Sequence, residues 1–354
     1  MRLLYQQLFE LIRCSLIDKK IDSTLFANMQ DPDWENLKEL AGRQGVSAIV
    51  LDGIHKAGLK PPLELLLEWI GISEYIRCHY DDYIRGVKSF LNFISGHGVK
   101  VLVLKGISLA CYYPEPKHRE FGDFDIYTFN SHNLINDIIK KNGILIKYDN
   151  THDEFDYNNI HIEHHNYFVS NYSKVSRKVN EYLQLISNND IGKVVDGLYY
   201  PTPDFNVIYL LRHISKHLTG EGVTLRQIID WGLFLDKEGD NINWDVAAPI
   251  IKDCKMDVVF NVITAISEQV LSLNLLHYYI GSVNNQLVDK TMNFILSTRL
   301  HQESDLCLPK RVLMKTKRFF SHYWMYQTGL IPDRFLTEYF WWSFREHLND
   351  PSQI

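Results

Sequence analysis

Two short stretches, Val99-Lys100-Val101-Leu102-Val103-Leu104-Lys105-Gly106 and Gly122-Asp123-Phe124-Asp125-Ile126, set the architecture of this 354-residue chain. The first is a β-branched run closed by lysine and glycine, which predicts a strand turning into the helix-like segment Ile107 to Tyr113. The second predicts a strand over about Asp123 to Phe129. Beyond it a helix is expected over about His132 to Asn142, a third strand over Ile144 to Tyr148 and a fourth over Asn159 to Val169. In the fourth, alternation places His161, Glu163 and His165 on one face and Ile160, Ile162 and His164 on the other. Residues 98–200 therefore read as a core with a small mixed sheet.

Both flanks change period. Apolar residues recur at three- and four-residue spacing through Leu3, Leu4, Leu8, Leu11 and Ile12, and again from Leu63 to Ile94, so residues 1–97 read as helical. Pro32, Pro61 and Pro62 fall near expected helix starts. Helical spacing returns in Asp204 to Leu218 and Thr224 to Leu235, set apart by Gly220-Glu221-Gly222, and continues to Phe344, so residues 201–354 are a second helical region. The fold class is α+β, a mixed-sheet core between two helical flanks. Near the C-terminus Phe340, Trp341, Trp342 and Phe344 form an aromatic cluster. It lacks the interleaved basic residues of a nucleic-acid groove, so it reads as core packing or an oligomer contact.

Composition narrows the function. Hydrophobic residues at 45% and charged residues at 23% are those of a folded globular chain. A net charge of −6, from 37 basic and 43 acidic residues, argues against a broad nucleic-acid-binding surface. Cys14, Cys78, Cys111, Cys254 and Cys307 are scattered and odd in number and contain no CxxC pair, which suggests neither a disulfide framework nor a zinc ribbon and suits a reducing cytoplasm. The N-terminus lacks the apolar core of a signal peptide. No run approaches the roughly 18 apolar residues of a membrane span.

The chemistry lies in Asp123 and Asp125. Two residues apart on a strand, they point to the same face while Phe124 and Ile126 point to the other. Carboxylates so placed repel one another unless a cation lies between them, and Mg²⁺, with its preference for oxygen ligands, meets that need. Glu163, on a neighbouring strand, is the candidate third carboxylate, able also to accept a proton from an attacking hydroxyl. Lys105 and Gly106 close the preceding strand at a helix N-terminus, where a cation and exposed amides favour an anion. Arg119 offers a forked donor to the same phosphates. Lys105 and Arg119 have the alternative of pairing at the surface with Glu115 or Glu120.

The run Leu104-Lys105-Gly106, then Arg119, then Gly122-Asp123-Phe124-Asp125 resembles the DNA polymerase β-like nucleotidyltransferase superfamily. It is most similar to the poorly characterised bacterial nucleotidyltransferases that carry "LKG…R…GDIDL" in place of the usual Gly-Ser pair. Glu163-His164-His165 resembles that family's acidic residue followed two positions on by histidine. His213 with Arg226 to Trp231 resembles its downstream helical signature. The resemblance spans roughly Val99 to Leu235. It implies a mixed-sheet catalytic fold, Mg²⁺ held by Asp123, Asp125 and Glu163, and an NTP bound with the help of Lys105, Gly106, Arg119 and Gly122. It further implies transfer of a nucleoside monophosphate to an acceptor that the motif leaves undefined.

Two other readings compete. One is a non-catalytic nucleotide-binding or regulatory protein of the same fold, which calls for Glu163 turned away from the aspartates. The other is a zinc-dependent hydrolase built on His161, His165, His213 and His217. His213 and His217 share a helix face, but the glutamate of an HExxH motif is missing between them. Packing or a supporting role is the expectation for both. Arg226 and Asp230, four apart, read as a helix-surface ion pair or as residues facing the cleft.

Overall fold

The computed structural model describes residues 3–149, 151–219, 222–297, 320–334 and 338. In chain order the elements are α1 (Leu3–Ile17), α2 (Asp31–Arg43), α3 (Ser47–Ala57), α4 (Leu63–Ile94), β1 (Leu102–Val103), α5 (Ile107–Ala110), β2 (Phe124–Tyr127), α6 (His132–Lys141), β3 (His152–Tyr157) and β4 (Ile160–His165). They continue with α7 (Lys174–Asn189), β5 (Lys193–Val195), β6 (Leu198–Tyr200), α8 (Pro203–Thr219), α9 (Leu225–Glu238), α10 (Trp244–Asp253), α11 (Asp257–Leu271), α12 (Asn285–Ser297) and α13 (Tyr323–Gln327). This is the expected α+β class, with one mixed sheet and helical flanks. Phe340, Trp341, Trp342 and Phe344, like Gly220 and Glu221, lie outside the described residues.

The six strands run in the order β3-β4-β2-β1-β6-β5. β2 is parallel to β4 and antiparallel to β1, while β3 is antiparallel to β4. β1 is parallel to β6, which closes a hairpin with β5. Register matters most at the centre, where Asp125 lies beside Glu163 and Glu163 beside Glu154.

Several expected elements shift. The segment Ile144 to Tyr148 is not a strand, and its only pairing is an isolated bridge between Lys147 and Glu154. Leu145 there is 90% exposed, so no apolar face draws the segment into the sheet. The real edge strand is β3, whose charged sequence His-Asp-Glu-Phe-Asp-Tyr conceals an alternation that buries Asp153 and Phe155. Asp153 accepts a hydrogen bond from the Asn136 side chain of α6 at 2.6 Å and lies 3.3 Å from His132, which supports its burial. The β5–β6 hairpin turns on Asp196-Gly197, with φ of +51° and +84°, the two-residue turn that matches strand twist.

Two apolar cores result. One joins α1, α2 and α3 to the C-terminal helices. Fully buried Gln44 clamps them, donating to the Ile295 carbonyl of α12 at 3.1 Å and accepting from the Leu225 amide of α9 at 2.9 Å. The other core lies between the sheet and α4 and α6. At 32 residues α4 is about 48 Å long and serves both cores, with Trp69 in the first and Tyr83, Val87, Phe90 and Ile94 in the second.

Candidate active site

The sheet face turned away from α4 is polar. Alternation brings Asp125 from β2, His161, Glu163 and His165 from β4, and His152, Glu154 and Asp156 from β3 to that side. Phe124, Ile126 and Ile162 take the opposite side and are fully buried. Asp123 immediately precedes β2 and is exposed at the mouth of the cleft.

Asp125 is the hub of the cluster, with 1% exposure. Its Oδ1 accepts from Lys105 Nζ at 2.8 Å and from His165 Nε2 at 3.1 Å. Burial would raise its carboxyl, but the Lys105 charge and the His165 hydrogen bond outweigh burial and hold it well below the ordinary range. Its Oδ2 is buried and has no hydrogen-bond partner. For Asp123, withdrawal from bulk water inside the cleft comes first, then repulsion from Glu163 and Asp125, and together they raise its carboxyl. Burial pulls on Lys105 in the opposite sense, yet Asp125 and Glu163 overcome it and raise its ammonium.

Glu163 Oε2 lies 3.5 Å from His165 Nε2, and Oε1 lies 3.9 Å from His152 Nε2. Glu163 therefore faces the aspartates. His165 Nδ1 lies 3.2 Å from the Tyr167 carbonyl, which can only accept, so Nδ1 carries a proton.

The other expected phosphate ligands sit together but are differently engaged. Gly106 adopts φ +70°, ψ −111° at the start of the one-turn helix α5, a conformation that a side chain resists. A Cβ on Gly122 would meet nothing within 4 Å, so that glycine lines the cleft without steric need. Arg119, 5% exposed, turns its fork inward, donating through Nε and Nη2 to the two carboxylate oxygens of Asp230, each at 2.8 Å. The Tyr113 hydroxyl donates to the same carboxylate at 2.7 Å. The carboxylate of neither Glu115 nor Glu120 pairs with Arg119, whose Nη1 donates only to the Glu120 backbone carbonyl, at 3.4 Å.

Asp230 and Arg226 depart from the surface pair suggested by their spacing. Asp230 is buried, and Arg226 instead donates to the Glu120 carbonyl at 2.9 Å while its Nε is buried without a partner. The apolar run around them on α9 is buried almost all round, which is the signal that the pair does not face solvent.

Two cavities meet at the cluster. The larger, about 260 Å³, contains Lys105, Arg119, Asp123, Asp125 and Arg226 in its wall. The smaller, about 170 Å³, contains Glu163, His152, His165 and Lys216. Lys105, Asp123, His213 and His217 border both. Burial, then the Lys105 charge, pushes the His213 imidazole far down and that of His217 to about 3, so both rings are neutral near pH 7. Of the proposed zinc ligands only His165 belongs to a compact group among the described residues, and its companions there are His152 and Glu163. His152 carried no sequence signal of its own, because β3 was not legible as a strand.

The sheet thus carries Asp125 and Glu163 side by side, with Asp123 just before β2, beside a cation-lined cleft. The chain belongs to the family described as "Uncharacterised nucleotidyltransferase", whose model matches residues 30–272. The match begins before the core and runs through α11, so parts of both helical flanks belong to the family's pattern. No curated protein and no solved structure matches the chain. Nucleotidyltransferases generally use a divalent metal, and no described helix is long and apolar enough to cross a membrane.

Proposed function

We propose that this protein transfers a nucleoside monophosphate from an NTP to an acceptor hydroxyl or phosphate, with Mg²⁺ held by Asp123, Asp125 and Glu163. The supporting observation is the orphaned Oδ2 of Asp125. A buried carboxylate oxygen without a partner costs free energy, and a hard cation is the ligand that satisfies it. When bound, such an ion orients phosphate oxygens and offsets charge on the leaving group.

The chain's own residues divide the remaining work. Lys105 and Arg226 give the larger cavity its positive wall, while Arg119, locked to Asp230, holds the loop ending at Gly122 and Asp123 against α9. Gly106 and Gly122 let the phosphate chain approach the backbone. Glu163 opens on the smaller cavity, where it is placed to accept a proton from an acceptor. We place the metal-binding core of this chemistry in residues 98–200, with Arg226 and Asp230 contributed by α9 of the following helical region. A cytoplasmic setting accords with the free Cys14, Cys78, Cys111 and Cys254.

Incubation with labelled NTPs, Mg²⁺ and cell extract tests the proposal. A labelled product that disappears with Asp123→Asn and with Asp125→Asn is expected. NTP binding without any transfer, unaffected by Glu163→Gln, would instead identify a non-catalytic binding protein.

A further inference from the structure

We propose that His152, Glu163 and His165 form a second metal site, which shares Glu163 with the proposed Mg²⁺ site but not the aspartate pair, and which takes an imidazole-preferring divalent ion of the Zn²⁺ or Co²⁺ kind. Metal binding there does not depend on nucleotidyl transfer.

The geometry of the three side chains carries the inference. β3 and β4 pair His152 directly opposite His165, and Glu163 lies two residues away on the same face. Their ligand atoms all lie within 4.8 Å of one another. The separations from Glu163 are 3.5 Å to His165 Nε2 and 3.9 Å to His152 Nε2. Ligand atoms around a tetrahedral ion with bonds of about 2.0 Å stand about 3.3 Å apart, so small side-chain movements close the set.

The hydrogen bonding of His165 is a second, independent observation. The Nδ1 proton is directed at the Tyr167 carbonyl, and Nε2 faces Asp125 Oδ1 at 3.1 Å and Glu163 Oε2 at 3.5 Å, where a metal ion can take the place of the Nε2 proton. A histidine whose far nitrogen donates to a backbone carbonyl while the near one points into a carboxylate-lined space has the arrangement typical of a metal ligand. Asp125 keeps Lys105 as a partner at 2.8 Å when His165 turns to an ion.

Ligand type separates this site from the aspartate pair. Two imidazoles and one carboxylate suit zinc-like ions, while Mg²⁺ prefers oxygen alone. Three protein ligands also leave a position open, as in catalytic rather than structural zinc sites, and the smaller cavity reaches all three residues.

The test uses the full chain stripped of metal and titrated with Co²⁺ in excess Mg²⁺, reading the visible absorption of nitrogen-ligated cobalt. One equivalent of Co²⁺ is expected to bind, to persist in Asp123→Asn, and to weaken by more than about tenfold in His152→Ala, since even an outer partner of a ligand acts on that scale. His152→Asn serves as the second variant, and a thermal melt establishes which variants are folded. If Mg²⁺ displaces the cobalt, or a folded His152 variant binds it as tightly as wild type, the site is overturned. Loss of NTP transfer in Asp123→Asn with the cobalt spectrum intact separates this inference from the proposed activity.

Discussion

Replacing Asp230 by asparagine isolates the interaction that fixes the loop leading to Asp123. Asp230 receives two guanidinium hydrogen bonds at 2.8 Å and the Tyr113 hydroxyl at 2.7 Å, and both it and Arg119 are 5% exposed. Were this pair at the surface, its loss would cost at most about 1 kcal/mol. Buried, the substitution leaves the Arg119 cation without a counter-charge next to Arg226, and breaking a buried pair from one side costs about 3–5 kcal/mol. Removing both members spares the stranded charge. Arg119→Met with Asp230→Asn should therefore recover about 2–3 kcal/mol relative to the sum of the single variants, the upper range for residues in contact. Guanidinium unfolding of the four proteins, followed by fluorescence and circular dichroism, measures the cycle. An Asp230→Asn cost below about 1 kcal/mol, or strict additivity, would refute the reasoning.

Other expectations follow from the same geometry. Gly106→Ala should destabilise by about 1–2 kcal/mol because its backbone lies where a side chain is strained, whereas Gly122→Ala should stay within about 0.5 kcal/mol; denaturation midpoints decide between them. Asp333 accepts from Arg212 Nη1 at 2.8 Å and Nη2 at 3.0 Å, and these bonds outweigh burial to lower its carboxyl. A lowered carboxylate contributes stability above its unfolded pKa and loses it as pH falls through the folded one. Asp333→Asn should thus cost about 3 kcal/mol at neutral pH. That gap should shrink in acid below the ordinary aspartate range, and melting temperatures at several pH values would show it.

The site was legible where periodicity and chemistry coincide. Alternation in β2 and β4 placed Asp125 and Glu163 on one face, and the structure sets them side by side. β3 escaped notice because its burial depends on tertiary partners: Asp153 enters the interior only because Asn136 and His132 meet it there. His152 was hidden with it. The Arg226 and Asp230 spacing allowed a surface pair, and only the packing of α9 against the cleft directs Asp230 to Arg119. The Asp196-Gly197 turn did carry a readable hairpin signal, lying between two short runs with apolar residues.

Nucleotidyl transfer moves the α-phosphorus of the NTP, whereas phosphoryl transfer moves the γ-phosphorus. Purified protein incubated with Mg²⁺, cell extract and NTP labelled at either the α- or the γ-phosphate separates nucleotidyl from phosphoryl transfer. The account predicts that α-label enters an acceptor while γ-label leaves as pyrophosphate, and that both events vanish in Asp125→Asn. Acceptor carrying γ-label, or α-label incorporation that survives Asp125→Asn, would contradict it.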